Sequence, residues 1–248
     1  NLQSVTMKKT TQPRILLIAA TLIEINPFLQ EWKKGTIEMN GWELDVLITG
    51  IGLTATTYSL SKQIQSRKPD LIIQAGVGGC FDRTRPLGEV VVVKQEAIAD
   101  QSVIELNQLK TLFDLKLVPQ DQFPYRKGWL VNQSAVLKKS KLKKVRGISV
   151  NEITTDKKKC KFYETTFSPV VESMEGAALH YVALREQIEF IQLRSFSNYI
   201  ADRNKKRWDM KTSVVNLNHA LIRLLNTLWT FPSVSPPAPT IHSSSMRG

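Results

Sequence analysis

The stretch Leu71-Ile72-Ile73-Gln74-Ala75-Gly76-Val77-Gly78-Gly79 decides the fold. Its first five residues form an apolar run of strand length with one polar interruption. A run that does not alternate apolar with polar belongs to a strand covered on both faces, which calls for helices above and below a sheet. Glycines after such a strand allow backbone to approach a ligand closely and offer N–H groups to anions. A tight strand-to-helix turn is the plainer use of the same glycines. The spacing fits neither a dinucleotide fingerprint nor a P-loop.

Working outward, residues 14–20, 44–49, 89–94 and 190–195 repeat this pattern and read as further buried strands. Helical periods lie between them. Residues 54–65 form one helix, with a cap in Leu53-Thr54. Residues 175–187 form another, with Met174, Ala177, Ala178, Tyr181 and Val182 on one face. Residues 211–228 form a third, whose Val214, Leu217, Leu221, Leu224, Leu225 and Leu228 pack on the sheet. Alternating strands and helices predict a single three-layer αβα sandwich around a mixed, twisted sheet. Residues 101–129, with Pro119 and Pro124, are less regular and read either as a lid or binding loop or as a surface excursion.

The 248 residues suit one α/β domain, expected over 13–231, and 42% hydrophobic content supplies its core. Residues 1–12 read as a disordered or appended N-terminus, with Met7 as the natural start. Residues 232–248, rich in Ser and Pro, read as a disordered tail. Cys80 and Cys160 cannot build a disulfide framework, so a reduced, cytoplasmic setting is expected. The apolar stretch 15–25 is too short to span a bilayer, carries Glu24 and lacks a cleavage site of small residues. The net charge is +12, concentrated at Lys138, Lys139, Lys141, Lys143, Lys144 and at Lys157, Lys158, Lys159. These runs suit either a nucleic-acid surface or a solvated face. The absence of interleaved aromatics favours the solvated face.

Four more segments bear on chemistry. The first strand runs into Thr21-Leu22-Ile23-Glu24, which puts a carboxylate past a strand's carboxyl end, where α/β ligands collect. A helix-start charge is the alternative. Gly50-Ile51-Gly52 follows a strand and precedes a helix, and its glycines likewise allow close backbone approach and offer N–H groups to an anion, or simply make a tight turn. Val171-Glu172-Ser173-Met174-Glu175-Gly176-Ala177-Ala178 opens a helix with two carboxylates that its dipole would favour. Leu193-Arg194-Ser195-Phe196-Ser197-Asn198-Tyr199 is a strand ending in polar residues, where Asn is ordinarily a turn former.

In this order the segments resemble the nucleoside phosphorylase and nucleosidase superfamily over about residues 14–228. The chain is similar to methylthioadenosine/S-adenosylhomocysteine nucleosidases, and closer to the futalosine hydrolase family. The latter likeness rests on Phe113-Asp114-Leu115, Phe123-Pro124, Gly128-Trp129-Leu130-Val131-Asn132, Glu172 to Ala178, Ser197-Asn198-Tyr199, Arg203-Asn204 and Trp208.

The resemblance implies hydrolysis of a purine nucleoside through a ribosyl cation-like transition state, without metal or cofactor. Futalosine would yield hypoxanthine on the alternative route to menaquinone. Glu24 matches the water-activating glutamate, and Arg194 an arginine that orients it. Glu175 matches the glutamate that binds the ribose hydroxyls, and Met174 the residue packed on the sugar. Gly76, Val77, Gly78 and Gly79 would line the ribose cleft, with Ser197 and Ile153 near the base. Asn198 stands where the methylthioadenosine enzymes have aspartate. Its amide can donate to N7 and to a 6-oxo group, which suits hypoxanthine, although it could also accept from the amine of adenine. Phosphorolysis is disfavoured because Val77 offers phosphate no hydroxyl. The family's base-stacking aromatic has no clean counterpart, with Phe162 or Tyr163 as stand-ins. Arg126 or Arg203 is conceivable at the benzoate end. Two alternatives stay open: an adenine-releasing nucleosidase acting on methylthioadenosine, S-adenosylhomocysteine or aminodeoxyfutalosine, and a non-catalytic nucleoside-binding protein of the same fold. The expected partner is a small purine nucleoside, with no nucleic acid and no membrane, in a homo-oligomer, by analogy a dimer or larger.

Overall fold

The computed structural model describes residues 12–37, 41–202 and 204–228. All of the expected N-terminal segment but residue 12, the whole of the expected tail, Met7 and Arg203 lie outside them. Along the chain run β1 (Arg14–Ala19), α1 (Leu22–Lys33), β2 (Glu43–Ile48), α2 (Leu53–Ser66), β3 (Leu71–Cys80), β4 (Val90–Ile98), β5 (Ser102–Glu105), β6 (Gln108–Thr111), β7 (Tyr125–Arg126), β8 (Trp129–Val131) and α3 (Ala135–Lys139). Then follow β9 (Lys144–Ser149), α4 (Lys157–Phe167), β10 (Val171–Ser173), α5 (Gly176–Glu186), β11 (Glu189–Tyr199), one 3-10 turn (Lys205–Arg207) and α6 (Met210–Leu228).

β1 shows why the apolar runs do not alternate with polar residues. Ile15, Leu17 and Ala19 pack into a core with Ile25 and Phe28 of α1 and Leu217, Leu221 and Leu225 of α6. Leu16 and Ile18, on the other face, meet Leu60 and Ile64 of α2 and Leu179, Val182 and Ala183 of α5. Both faces are therefore dry, and the three-layer mixed α/β architecture expected from the sequence is present.

The nine-stranded sheet carries the site in an irregularity of its pairing. β2, β1, β3 and β11 are parallel neighbours, and β11 pairs antiparallel with β4. β9 is parallel to β4, β10 is parallel to β9, and β10 returns antiparallel to the end of β3. β3, β11, β4, β9 and β10 thus close on themselves, while β2 and β1 extend as an open arm. β1 pairs with β3 as far as Gln74, and β10 joins β3 only at Gly79. Between these points one edge of β3 has no strand beside it.

The structure corrects several sequence readings. The glycines after Ala75 form neither loop nor turn: β3 continues through them to Cys80. The α2 cap is Gly52, not a residue in Leu53-Thr54. On α5 the buried face includes Leu179 and His180, whereas Tyr181 is 38% exposed. The irregular segment before Trp129 contains the hairpin β5–β6 and most of the hairpin β7–β8. The first lysine run falls on the exposed end of α3, the connection after it and the first residue of β9, and the second on the first turn of α4, where the Asp156 carboxylate caps Lys159 N–H at 2.7 Å. Cys80 and Cys160 are both free thiols. Among the described residues no helix is long and apolar enough to cross a membrane.

Candidate active site

Thr21 and Glu24 open α1 as an S/T-x-x-E capping sequence. Thr21 donates to Glu24 Oε2 from its backbone N–H at 3.0 Å and from its hydroxyl at 3.2 Å. The two readings of Glu24, helix-start charge and functional acid, are therefore compatible. Pro27 lies inside α1. The Asn218 amide of α6 stands between the turns, donating to Glu24 O at 2.8 Å and accepting from Phe28 N–H at 2.9 Å. Asn218 is fully buried, so the Glu24 backbone is held from the opposite end of the chain.

The other Glu24 oxygen reaches the unpaired edge of β3. Val77 N–H donates to Glu24 Oε1 at 3.0 Å, and Val77 C=O accepts from Arg194 Nη1 at 3.1 Å. Arg194, on β11 beside Gly76, also donates from Nη1 to Glu175 Oε2 at 3.4 Å and from Nη2 to Gln74 Oε1 at 3.1 Å. Glu175 Oε1 accepts from Gly52 N–H at 3.2 Å. That donor faces the site because Gly50 and Gly52 adopt φ of +84° and +98°, conformations that suit glycine.

Gly76 is where these groups converge. A Cβ there would overlap Arg194 Nη1 and stand 3.1 Å from Glu24 Oε1. Glu24, Glu175 and Arg194 are 8%, 5% and 1% exposed, so Glu175 pairs with a buried cation while Glu24 meets the same Val77 peptide. An unpaired charge in such surroundings would be very costly. Glu175 is the N-cap residue of α5, yet its side chain makes no cap bond and serves this cluster instead.

Ser197 and Asn198, the residues expected near the base, sit at the end of β11. A bulge between Phe196 and Asn198 brings Asn198 level with Gly79. Its Oδ1 accepts from Ser197 Oγ at 3.0 Å and its Nδ2 donates to Tyr199 O at 3.2 Å, leaving a second amide N–H. A Cβ on Gly79 would lie 3.4 Å from Asn198 Nδ2. Gly78 faces β10 rather than an open cleft, since a Cβ there would stand 2.8 Å from Glu172 O. Glu172 Oε1 accepts from Thr154 N–H at 3.0 Å, which fixes the loop bearing Ile153, itself 46% exposed. Met174 is half-buried between β10 and Glu175. Tyr163 is 1% exposed and packs with Ile148, Val150 and Phe167, so it is a core residue and not a base-stacking one. Phe162 is half-buried on α4. Arg126 lines a separate cavity of about 300 Å³ with Phe123 and Tyr125, which includes none of the acids above.

Sequence reasoning missed Gln74 as a partner of Arg194 and missed Asn218. The Gly52 N–H, expected as a donor to an anion, meets the Glu175 carboxylate, and Thr21 left a readable signal in its three-residue spacing from Glu24.

The model of the phosphorylase superfamily matches residues 11–231. A futalosine hydrolase of Streptomyces coelicolor is 24% identical over 195 residues, covering 76% of this chain and 80% of the relative. A methylthioadenosine/S-adenosylhomocysteine nucleosidase of Colwellia psychrerythraea, solved with adenine, superposes with a TM-score of 0.69. Its identity is 16%, over 88% of this chain and 96% of that one. The futalosine hydrolase of Helicobacter pylori gives a TM-score of 0.67 at 17% identity, over 87% and 98%.

Proposed function

The chain belongs to the phosphorylase superfamily, and we propose that it hydrolyses the N-glycosidic bond of a purine nucleoside, with futalosine as its substrate. The observation that carries this is the meeting of Glu24, Arg194 and Glu175 at the bare edge of β3. Cleavage leaves positive charge on the ribose as the base departs. Glu175 binds the sugar hydroxyls and lays negative charge beside that cation, where a dry site strengthens the attraction. Glu24 takes the proton of the incoming water. Arg194 pairs directly with Glu175 and is tied to Glu24 through the Val77 peptide, which sets the spacing of the two acids without touching the base.

Water suits this site better than phosphate as the attacking group. Val77 N–H, a natural donor to an anion, is occupied by Glu24, and two carboxylates would repel phosphate. The Asn198 amide donates to a 6-oxopurine, the leaving group of futalosine, and the futalosine hydrolases among the relatives support that choice. Reduced thiols and the lack of a spanning helix among the described residues fit a cytoplasmic setting.

The test offers purified protein futalosine, aminodeoxyfutalosine, methylthioadenosine and inosine, with and without phosphate. The proposal expects hypoxanthine from futalosine fastest, at a rate indifferent to phosphate. Faster release of adenine, or dependence on phosphate, contradicts it.

A further inference from the structure

Beneath the first turn of α5 lies a second polar group that the reaction above does not use. Glu96 of β4 is fully buried. Its Oε2 accepts from Ser149 Oγ at 3.2 Å and its Oε1 from Gln192 Nε2 at 3.0 Å. Ser149 Oγ accepts from Ala177 N–H at 2.8 Å, and Ser173 Oγ accepts from Gly176 N–H at 3.1 Å. A Cβ on Gly176 would run into Glu96 Oε1, and one on Gly147 would stand 2.6 Å from it. The carboxyl is thus wedged under the residue that follows Glu175.

Gln192 extends from Glu96 to His180 of α5, whose ring it influences. His180 Nδ1 lies 3.0 Å from the Leu130 carbonyl, which can only accept, so Nδ1 carries the ring proton. Gln192 Oε1 and His180 Nε2 are buried and have no hydrogen-bond partner. In a neutral imidazole both are acceptors, so the chain of donors breaks between them. One added proton repairs it in either of two ways. On His180, it lets Nε2–H donate to Gln192 Oε1. On Glu96, it donates to Gln192 Oε1 once the amide turns over, and the amide NH2 then serves His180 Nε2. Burial chooses the second, because it pushes the Glu96 carboxyl up to about 7 and the His180 imidazole down to about 4.

We propose that Glu96 is a positioning residue that works as a neutral carboxylic acid, holding the first turn of α5 so that Glu175 meets the ribose. The role assigned to Glu175 rests on the function proposed above. The charged groups acting on Glu96 are Arg194 of β11 and Glu175. His180 is reached through Gln192, and β8 and β9 contribute a carbonyl, Ser149 and Gly147. Ionised, Glu96 would attract Arg194 and repel Glu175, loosening the cluster that binds the sugar.

The test compares wild type with Glu96→Gln, whose amide donates to Gln192 and accepts from Ser149 as the protonated acid does. In the unliganded wild type, infrared spectroscopy should show a protonated carboxylic acid that bleaches as pH rises through about 7; Glu96→Gln should lack it. In turnover, wild-type KM should rise above that pH by up to about tenfold per unit, the slope of one linked proton, with kcat changing less. Glu96→Gln should keep a low, flat KM. Absence of the infrared band, its survival in the variant, or an unchanged rise of KM in the variant overturns the proposal. A chain that cleaves no nucleoside overturns the function of the site, while the infrared band still decides where the proton resides.

Discussion

Glu24 and Arg194 hold the same residue of β3 from the same bare edge: one accepts the N–H of Val77 at 3.0 Å and the other donates to its carbonyl at 3.1 Å. The gap between the end of β1 and the start of β10 leaves both groups free for side chains. Backbone polar groups inside a protein need partners. Here the partners are a carboxylate and a guanidinium from distant parts of the chain, so the sheet itself sets their spacing.

Gly76→Ala tests that spacing. The added methyl would overlap Arg194 Nη1 and crowd Glu24 Oε1. Overpacking of this kind costs about 1–3 kcal/mol. Denaturant midpoints should show such a loss, and kcat/KM should fall by more than the folded fraction does.

Asn218→Ala removes the amide between Glu24 O and Phe28 N–H. Two buried backbone groups lose their partner, at about 1–3 kcal/mol for each left unsatisfied. Thermal melts should report the loss. Activity should drop in the fraction that remains folded, because Glu24 is no longer held.

Asn198→Asp replaces an amide donor by a carboxyl group, which in its protonated form can pass a proton to N7. The ratio of kcat/KM for futalosine over aminodeoxyfutalosine should fall by about tenfold or more, since a site loses most when a buried polar match is removed. An unchanged ratio would remove Asn198 from base selection.

Stability against pH carries opposing contributions from Glu96 and His180. The carboxyl of Glu96, raised to about 7, stabilises the fold below its ordinary value near 4.5, and this is lost as pH rises to about 7. The imidazole of His180, lowered to about 4 from 6.5, stabilises above 6.5, and this is lost as pH falls to about 4. Between 4.5 and 6.5 the two slopes offset each other. Wild-type melting temperature should therefore be nearly flat there. Glu96→Gln should become more stable with rising pH, and His180→Phe less stable. A variant that keeps the flat profile would contradict this assignment.

The layered fold was legible because β1, the first half of β3 and the start of β11 are covered on both faces and are therefore runs of mostly apolar residues. β9 and β10 were not, being short and interrupted by Lys144, Arg146 and Glu172, and their partners are chosen by distant pairing. The glycines of β3 misled for a physical reason. Small residues mark turns, but here they make room for Arg194, for β10 and for Ile200 within a continuous strand. Glu24, Glu175, Arg194 and Asn198 were readable through their order and family resemblance. Asn218 and the Glu96–Gln192–His180 chain were not, because each joins residues far apart whose local setting is that of ordinary helix or strand.

The most direct test of the catalytic assignment is Glu24→Gln, measured for both turnover and binding of futalosine. Glutamine keeps the size of the side chain and one acceptor oxygen, enough for Thr21 but not also for Val77 N–H, and cannot take a proton from water. Turnover should fall by about 10²–10⁴-fold, the usual worth of general-base catalysis, while the dissociation constant stays within a few-fold of wild type. Turnover at the wild-type rate would contradict the role given to Glu24.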